Sequence, residues 1–303
     1  MSGLWISIHS PLIALYLLIL CESTNPTLVL DNKLGIYTRY IPEVESEVGA
    51  GRLGRHVRHD SRSLDYKFDG SGIATTSIRH TRYIPVLDQG DLGSCTGNAA
   101  TGNLGTGAFF ATVPSTLTLD ETEAVKLYSA ATQLDSYGGS YPPTDTGSDG
   151  LSVAKAAQQA GLISGYQHVT SLNDAIAALQ LGPIITGVNW YSSFDNPTKS
   201  GKVSITKSAY VRGGHEFVLD EVDTVNKLIG ATNSWGDSWG LKGRFYFSFA
   251  DYERLLAEQG DATVFVKLAT PEPTPTPTPV SVDPDVLAAY QSLKAWAIKN
   301  NVA

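Results

Sequence analysis

Apolar residues recur at helical spacing along most of the first half of the chain. They fall at intervals of three and four positions, which is the period of an amphipathic α-helix. Ser171 and Asp174 have the spacing of a capping box, and Gly182-Pro183 stops the helix that follows them. The predicted helices cover residues 99–111, 121–133 and 151–160, and the segment that begins at Ser171.

The pattern changes after Pro183. Short runs of β-branched and aromatic residues replace the helical spacing, and such runs are typical of strands. The predicted strands cover residues 184–188, 216–219, 227–232, 244–249 and 263–266. Helices followed by strands indicate an α+β protein with two lobes. A cleft between two lobes is a common place for a site, so we expect the functional residues to meet there.

The N-terminal part of the chain differs from this central part in its pattern of apolar and polar residues. Residues 1–21 form a hydrophobic segment that resembles the apolar region of a signal peptide, although no Lys or Arg precedes it. We therefore favour an exported or membrane-anchored protein over a cytoplasmic one, with membrane contact through residues 3–21 alone. Residues 22–80 are polar and irregular, and we expect them to form a leader or an arm that wraps the domain.

The C-terminal end is predicted to form a separate piece. Residues 81–268 make up the main domain, and residues 269–282 are a stiff linker rich in Pro and Thr. Residues 283–303 follow as an amphipathic helix, with Asp283 as its N-cap. One short helix cannot form a core of its own, and we expect it to dock on another surface.

Composition excludes several classes of function. The chain has 303 residues and a net charge of −8, and it shows no basic stripe with interleaved aromatic residues, so nucleic acid is not expected as a partner. The basic cluster of Arg52, Arg55, Arg58 and Arg62 is interpreted as a solvated edge of a segment. Two cysteines exclude a disulfide framework and a multi-cysteine zinc site. We expect no metal or organic cofactor, and we favour a monomer.

Cys95 is the strongest candidate for a nucleophile. It follows a turn that contains Gly90 and Gly93, and it precedes a helical run. Unpaired backbone N–H groups and the positive end of the helix dipole face a thiol at a helix start, and both favour the thiolate. Gln89 lies six residues earlier. Its side-chain amide is a candidate hydrogen-bond donor to a developing oxyanion.

His215 and Asn233 complete a candidate constellation. His215 begins a predicted strand directly after Gly214, and a glycine there permits close approach of substrate. Asn233 ends a later strand, and its carboxamide is expected to accept the imidazole N–H and fix the ring, with Trp235 covering that hydrogen bond. The candidate catalytic residues are Cys95, His215, Asn233 and Gln89, and the candidate substrate-binding residues are Trp235, Gly214 and Gly93.

These motifs resemble those of the papain-like cysteine peptidases. Asp-Gln-Gly-x-x-Gly-Ser-Cys at 88–95 is similar to the thiol motif of that family, and Asn-Ser-Trp-Gly-x-Ser-Trp-Gly at 233–240 is similar to its asparagine motif. Gly214-His215 stands between them, in the family's order. The resemblance covers roughly residues 80–268. It implies a helical lobe with a central catalytic helix, followed by a lobe that resembles an antiparallel β-barrel.

The resemblance also implies a role for each residue. Cys95 would attack a peptide carbonyl as the thiolate of a thiolate–imidazolium pair, and His215 would protonate the leaving amine. Asn233 would orient His215. The Gln89 side chain and the Cys95 backbone N–H would form the oxyanion hole. The reaction would pass through an acyl-enzyme, and the substrate would be a protein or a peptide.

The sequence departs from the family at several points. Thr96 stands where plant and lysosomal members carry tryptophan, and the lack of their cysteine bridges suits a bacterial, archaeal or phage branch. Glu216 follows the histidine where a small apolar residue is more familiar. Because neighbours along a strand point to opposite faces, Glu216 need not touch the Cys95–His215 pair.

Two other functions remain open at this level. One is the cleavage of peptidoglycan cross-links by a related thiol hydrolase. The other is a non-catalytic structural or binding protein that keeps the papain-like fold, which the Pro/Thr linker and the terminal helix would suit.

Overall fold

The computed structural model describes residues 27–31, 36–40, 53–56, 66–268 and 284–300. The hydrophobic segment 1–21, the predicted linker 269–282 and its neighbour Asp283 lie outside the described residues. Contacts divide the chain into two units, Met1–Leu268 and Ala269–Ala303.

The first unit combines helices with antiparallel strands. Its helices are α1 (Cys95–Leu104), α2 (Glu121–Leu134), α3 (Gly150–Gln159), α4 (Leu172–Leu181) and α5 (Phe249–Ala257), with 3₁₀ turns at Gly107–Thr112 and Ser192–Phe194. Its strands are β1 (Thr27–Asp31), β2 (Ile36–Tyr40), β3 (Ile78–Arg79), β4 (Gly165–Val169), β5 (Ile184–Tyr191), β6 (Val211–Asp223), β7 (Leu228–Thr232), β8 (Arg244–Ser248) and β9 (Asp261–Val266).

The main sheet has the strand order β4-β9-β5-β6-β7-β8, and β3 adds to β6. All of its pairings are antiparallel, and β1 and β2 form a separate antiparallel pair. The resemblance to the papain-like peptidases implied an antiparallel arrangement of this kind. The sheet is open, however, so the expectation of a barrel-like lobe holds for strand direction and not for closure.

Two hydrophobic clusters give the unit its two lobes. In the sheet lobe, buried aromatic side chains from β5, β6 and β8 pack together: Trp190, Phe217, Phe245 and Phe247. In the helical lobe, α1, α2 and α3 bury small and aliphatic side chains: Ala100, Leu104, Leu127, Ala131 and Val153. The predicted α+β architecture, with a helix-rich lobe and a strand-rich lobe, is confirmed.

Side-chain caps explain where most of the helices begin. The Asp120 carboxylate accepts the backbone N–H groups of Thr122 and Glu123 at the start of α2. The Ser171 hydroxyl accepts the N–H of Asp174 at 3.1 Å, which is the capping contact that the sequence predicts for α4. Each cap satisfies N–H groups that the first turn of a helix leaves without an acceptor.

The central helix is shorter than its sequence pattern suggests. The predicted run 99–111 is instead α1, which starts at Cys95 and ends at Leu104, followed by a separate 3₁₀ turn. Gly107 adopts a positive φ of 59°, a conformation that an α-helix cannot continue through. Gly107 therefore marks a point beyond which the predicted helical run cannot continue.

Gly97 shows why a glycine occurs within α1. A Cβ added at this position would meet the backbone carbonyl oxygen of Ala124 in α2. Glycine costs a helix up to about 1 kcal/mol relative to alanine, so its use here reflects the close approach of the two helix backbones. This contact places α1, and Cys95 at its start, firmly against the rest of the helical lobe.

We expect Gly97→Ala to lower the free energy of unfolding by about 1–3 kcal/mol, the usual cost of overpacking, although alanine is the better helix former. Urea denaturation monitored by circular dichroism measures the change. Gly138→Ala is the matched control, because a Cβ at Gly138 meets nothing within 4 Å. A Gly97→Ala protein as stable as the wild type would show that the helices have room to separate.

The second unit contains one described helix, α6 (Pro284–Lys299). Its apolar stripe is exposed, with Val286, Tyr290 and Leu293 each more than half accessible. The surface on which this helix docks stays a prediction. Among the described helices, none has both the length and the apolar character needed to span a membrane.

Candidate active site

Cys95 is the first residue of α1, and its side chain is fully buried. The loop before it runs antiparallel to the loop that contains Asn233. The Gln89 N–H donates to the Ser234 carbonyl at 2.9 Å, and the Gly236 N–H donates to the Leu87 carbonyl at 3.0 Å. The thiol motif and the asparagine motif, which are far apart in sequence, are therefore joined backbone to backbone.

His215 lies on β6, which packs against α1. Its Nε2 is 2.7 Å from the Asn233 Oδ1, and both side chains are buried. The Ser234 N–H also donates to that oxygen, at 2.8 Å. Because a backbone N–H needs an acceptor, the atom facing His215 is the carboxamide oxygen, and Nε2 must carry the proton. The neutral ring then has its lone pair on Nδ1.

Nδ1 of His215 accepts no hydrogen bond from any residue that the structure describes. In the neutral tautomer that Asn233 selects, this atom is a base. The arrangement leaves the imidazole oriented at one nitrogen and available to take up a proton at the other.

Two tryptophans enclose the imidazole. The ring of Trp235 lies 4.9 Å from that of His215 at an interplanar angle of 30°, and Trp190 meets it edge-on at the same distance. Trp235 was expected to cover the His215–Asn233 hydrogen bond, and it lies beside both residues. Trp190, on β5, was not singled out from the sequence because only the strand pairing of β5 with β6 brings it to the site.

The Gln89 side chain is held between the two motifs. Its amide nitrogen donates to the Leu92 carbonyl at 2.8 Å, and its amide oxygen accepts the Ser234 hydroxyl at 2.7 Å. An amide nitrogen has two N–H groups, so one remains for a further acceptor. Gln89 is thus oriented at both ends by loops that also carry Cys95 and Asn233.

Residues 53–56, which we call the covering segment, lie across the site. The N–H groups of Gly54 and Arg55 both point at the Gly214 carbonyl, at 3.3 and 3.0 Å. Gly54 also packs so closely on the Gly93 carbonyl that a side chain at position 54 would collide with it. Gly93 and Gly214, predicted to contact substrate, therefore contact a stretch of the chain itself.

The covering segment also pairs with the helical lobe. The His56 N–H donates to the Ser148 carbonyl at 2.7 Å, and the Ser148 N–H donates to the Gly54 carbonyl at 2.9 Å. Ser148 directly precedes Asp149, whose side chain caps α3. Backbone hydrogen bonds thus connect the segment to both lobes, which is how an extended peptide binds between two edges.

Asp145, in the loop between α2 and α3, was not among the candidate site residues predicted from the sequence. Its Oδ2 accepts the N–H of Gly93 at 2.9 Å, and its Oδ1 accepts the Tyr128 hydroxyl at 2.5 Å. It therefore fixes the loop that precedes Cys95. Nothing in the sequence distinguishes it from the other polar residues of the 136–150 loop, because its partners come from α2 and from the thiol motif.

Comparison with solved structures identifies the architecture. Xylellain, a cysteine protease from Xylella fastidiosa, superposes with a TM-score of 0.55 at 18% identity, covering 75% of this chain and all of xylellain. The chain has the papain-like fold. Digestive procathepsin L 3 of Tenebrio molitor is a further match, with a TM-score of 0.48 at 16% identity, covering 72% of this chain and 76% of that one. No family model matches the sequence, and no curated protein matches it.

Burial controls the protonation of His215. It lowers the pKa of His215 to about 3, with Arg212 acting in the same direction and the hydrogen bond to Asn233 opposing both. Desolvation penalises the charged ring, so the imidazole is neutral at pH 7 while the site is buried. Access of water to the site would reduce this penalty and raise the pKa.

We expect His215 to make the folded protein less stable in mild acid. The pKa of His215 in the folded protein lies below the value of about 6.5 in the unfolded chain. The stability that the neutral ring contributes is therefore complete above pH 6.5 and is lost as the pH falls towards about 3. Between pH 7 and pH 5, the free energy of unfolding should fall by about 2 kcal/mol more in the wild type than in His215→Gln. Urea denaturation of both proteins at the two pH values measures it. Equal losses in the two proteins would mean that the ring titrates normally.

Proposed function

We propose that this protein is a cysteine peptidase that hydrolyses peptide bonds through an acyl-enzyme on Cys95. The observation that carries the proposal is the His215–Asn233 hydrogen bond, which fixes the tautomer and leaves Nδ1 as a base. The papain-like fold and the position of Cys95 at a helix start support it. A base oriented by a third group beside a thiol is the arrangement that activates such a nucleophile.

The first half of the reaction would transfer the acyl group to sulfur. Nδ1 of His215 takes the proton of Cys95 as Sγ attacks the carbonyl carbon of the substrate. The tetrahedral oxyanion accepts hydrogen bonds from the remaining Gln89 N–H and from the backbone N–H at the start of α1. The carbon–nitrogen bond then breaks, and His215 returns the proton to the departing amine.

The second half would restore the enzyme. Water gives a proton to Nδ1 and attacks the thioester carbonyl, and the same donors hold the oxyanion. The thiolate leaves and recovers its proton from His215. Trp190 and Trp235 surround the imidazole throughout and limit the water that competes for its hydrogen bond with Asn233.

Substrate entry would require the covering segment to move. Residues 53–56 use the backbone groups of Gly214 and Ser148, which an extended substrate would also need. The covered form is therefore the resting form in this proposal, and its neutral His215 is consistent with low activity.

The test uses the purified full-length chain with a denatured protein and with isolated peptidoglycan as separate substrates. Mass spectrometry of the new amino termini reports which is cut. We expect cleavage of the denatured protein. Release of cross-link peptides from peptidoglycan alone would favour the cell-wall hydrolase, and no cleavage of either, before or after limited proteolysis of residues 22–80, would favour the non-catalytic alternative.

A further inference from the structure

Arg55 in the covering segment is not the solvated residue that its sequence context suggests. Its side chain is buried, and its guanidinium enters the sheet lobe. One terminal nitrogen lies 3.1 Å from the Asp261 Oδ1 and donates to the Gln259 carbonyl at 3.0 Å. Nε lies 4.0 Å from the Glu216 Oε2. Arg52, Arg58 and Arg62, the other members of that basic cluster, lie outside the described residues.

The pocket that receives the guanidinium is formed by the strand register. Gly187 on β5 pairs directly with Glu216 on β6 and with Asp261 on β9. Residues directly opposite in neighbouring strands share a face of the sheet, so the two carboxylates stand on either side of a residue without a side chain. The outer strands are about 10 Å apart, which leaves room for a planar cation between the acids.

Gly187 keeps open the pocket between Glu216 and Asp261, which we call the acidic notch. A Cβ added at Gly187 would meet both the Arg55 Nε and the Glu216 Oε2. The helical lobe also borders the acidic notch, because a Cβ added at Gly150, the first residue of α3, would meet the Glu216 Oε1. The acidic notch is therefore enclosed between the two lobes. The Gly214 and Ser148 backbone groups that bind the covering segment come from the same two lobes.

The rest of the fold does not compensate Glu216. Within the described part of the chain, neither of its carboxylate oxygens accepts a hydrogen bond, although the side chain is 1% exposed. A buried carboxylate is costly unless a cation accompanies it. Burial raises the pKa of Glu216 well above its ordinary value, Asp261 raises it further, and Arg55 opposes the shift. The compensating charge comes from the covering segment.

Glu216 and Asp261 thus form a site for a guanidinium at the place where an extended peptide would bind. We propose that the notch between Glu216 and Asp261 selects substrates with an arginine side chain, and that Arg55 occupies it in the covered form. This inference rests on the proposed peptidase function. Arginine is preferred to lysine because its planar fork can face two carboxylates at once.

The test measures kcat/KM on fluorogenic peptides that differ at one position at a time, with the wild type and with Arg55→Ala, which empties the notch. We expect one position at which arginine is preferred to methionine by about 10- to 100-fold, the range expected for hydrogen bonds to a charged group. Glu216→Gln should remove most of that preference, measured as the ratio of kcat/KM for the arginine peptide to kcat/KM for the methionine peptide in the same protein. Glu253→Gln, an exposed carboxylate on α5, is the matched control.

Gly187→Ala gives a second, independent variant. It keeps both carboxylates and removes the room for the guanidinium, so the arginine preference should fall while the charge of the site is unchanged. Hydrolysis without a basic preference, or a preference that survives both Glu216→Gln and Gly187→Ala, would overturn the inference and leave the peptidase proposal intact.

Binding separates the two proposals when no peptide is cut. Calorimetry of Arg55→Ala with N-acetylarginine amide and with N-acetylnorleucine amide requires no turnover. Binding of the arginine amide alone, lost in the Arg55→Ala/Glu216→Gln protein, would support the notch as a guanidinium site. Equal or absent binding of both amides, with a melting curve that shows a folded protein, would overturn it.

Discussion

Replacing Cys95 with alanine is expected to abolish peptide hydrolysis. Loss of the nucleophile in a catalytic constellation lowers kcat by a factor on the order of 10⁶, because the remaining groups have nothing to activate. The side chain is fully buried at the start of α1, and alanine is smaller and compatible with a helix. The variant should therefore fold normally, and a continuous fluorogenic assay of both proteins measures the loss.

Alkylation provides the control for this prediction. Peptide mapping after treatment with iodoacetamide should find the label on Cys95 and not on Cys21, because the proposed mechanism makes Cys95 the reactive thiolate. Hydrolysis by Cys95→Ala at the wild-type rate would end the peptidase proposal, whatever the labelling shows.

Gln89→Ala is expected to lower kcat by roughly 10²- to 10³-fold with little change in KM. The amide nitrogen would bond the oxyanion and not the ground-state carbonyl, so its loss affects the transition state alone. Initial rates over a range of peptide concentrations separate the two constants.

The Ser234→Ala variant tests whether the orientation of Gln89 matters. The Ser234 hydroxyl donates to the Gln89 oxygen at 2.7 Å, so its removal loosens the amide without deleting the donor. We expect a smaller loss of kcat than in Gln89→Ala. If Gln89→Ala raised KM and left kcat unchanged, Gln89 would bind substrate and have no part in an oxyanion hole.

Much of the fold follows from local sequence signals. The caps at Asp120 and Ser171 and the stop at Gly182 act within a few residues, and the helices they bound were predicted nearly to the residue. Helix α5 was missed although Ser248 and Asp251 have the capping spacing, because the aromatic run before them was read as a strand that extends to Phe249. Local patterns fail where one element passes directly into the next.

Pairings between distant segments were harder to predict. Strand β4 contains Gln167 and His168 and has a weak alternation, and it becomes a strand by pairing with β9. The acidic notch has the same origin, since Glu216 and Asp261 become neighbours only through the register of Gly187. The sequence indicated that Glu216 need not touch the Cys95–His215 pair, but its partner Arg55 comes from a segment whose path the sequence does not determine.

The central claim is that Cys95 carries the acyl group during turnover, with His215 and Asn233 as its base and its orienting group. Rapid acid quenching during hydrolysis of an activated arginine ester, followed by intact-mass and peptide-level mass spectrometry, tests it directly. The account predicts an acyl adduct on Cys95 that forms within the first turnover and is absent in His215→Gln. Turnover without an adduct, or with an adduct on another residue, would contradict it.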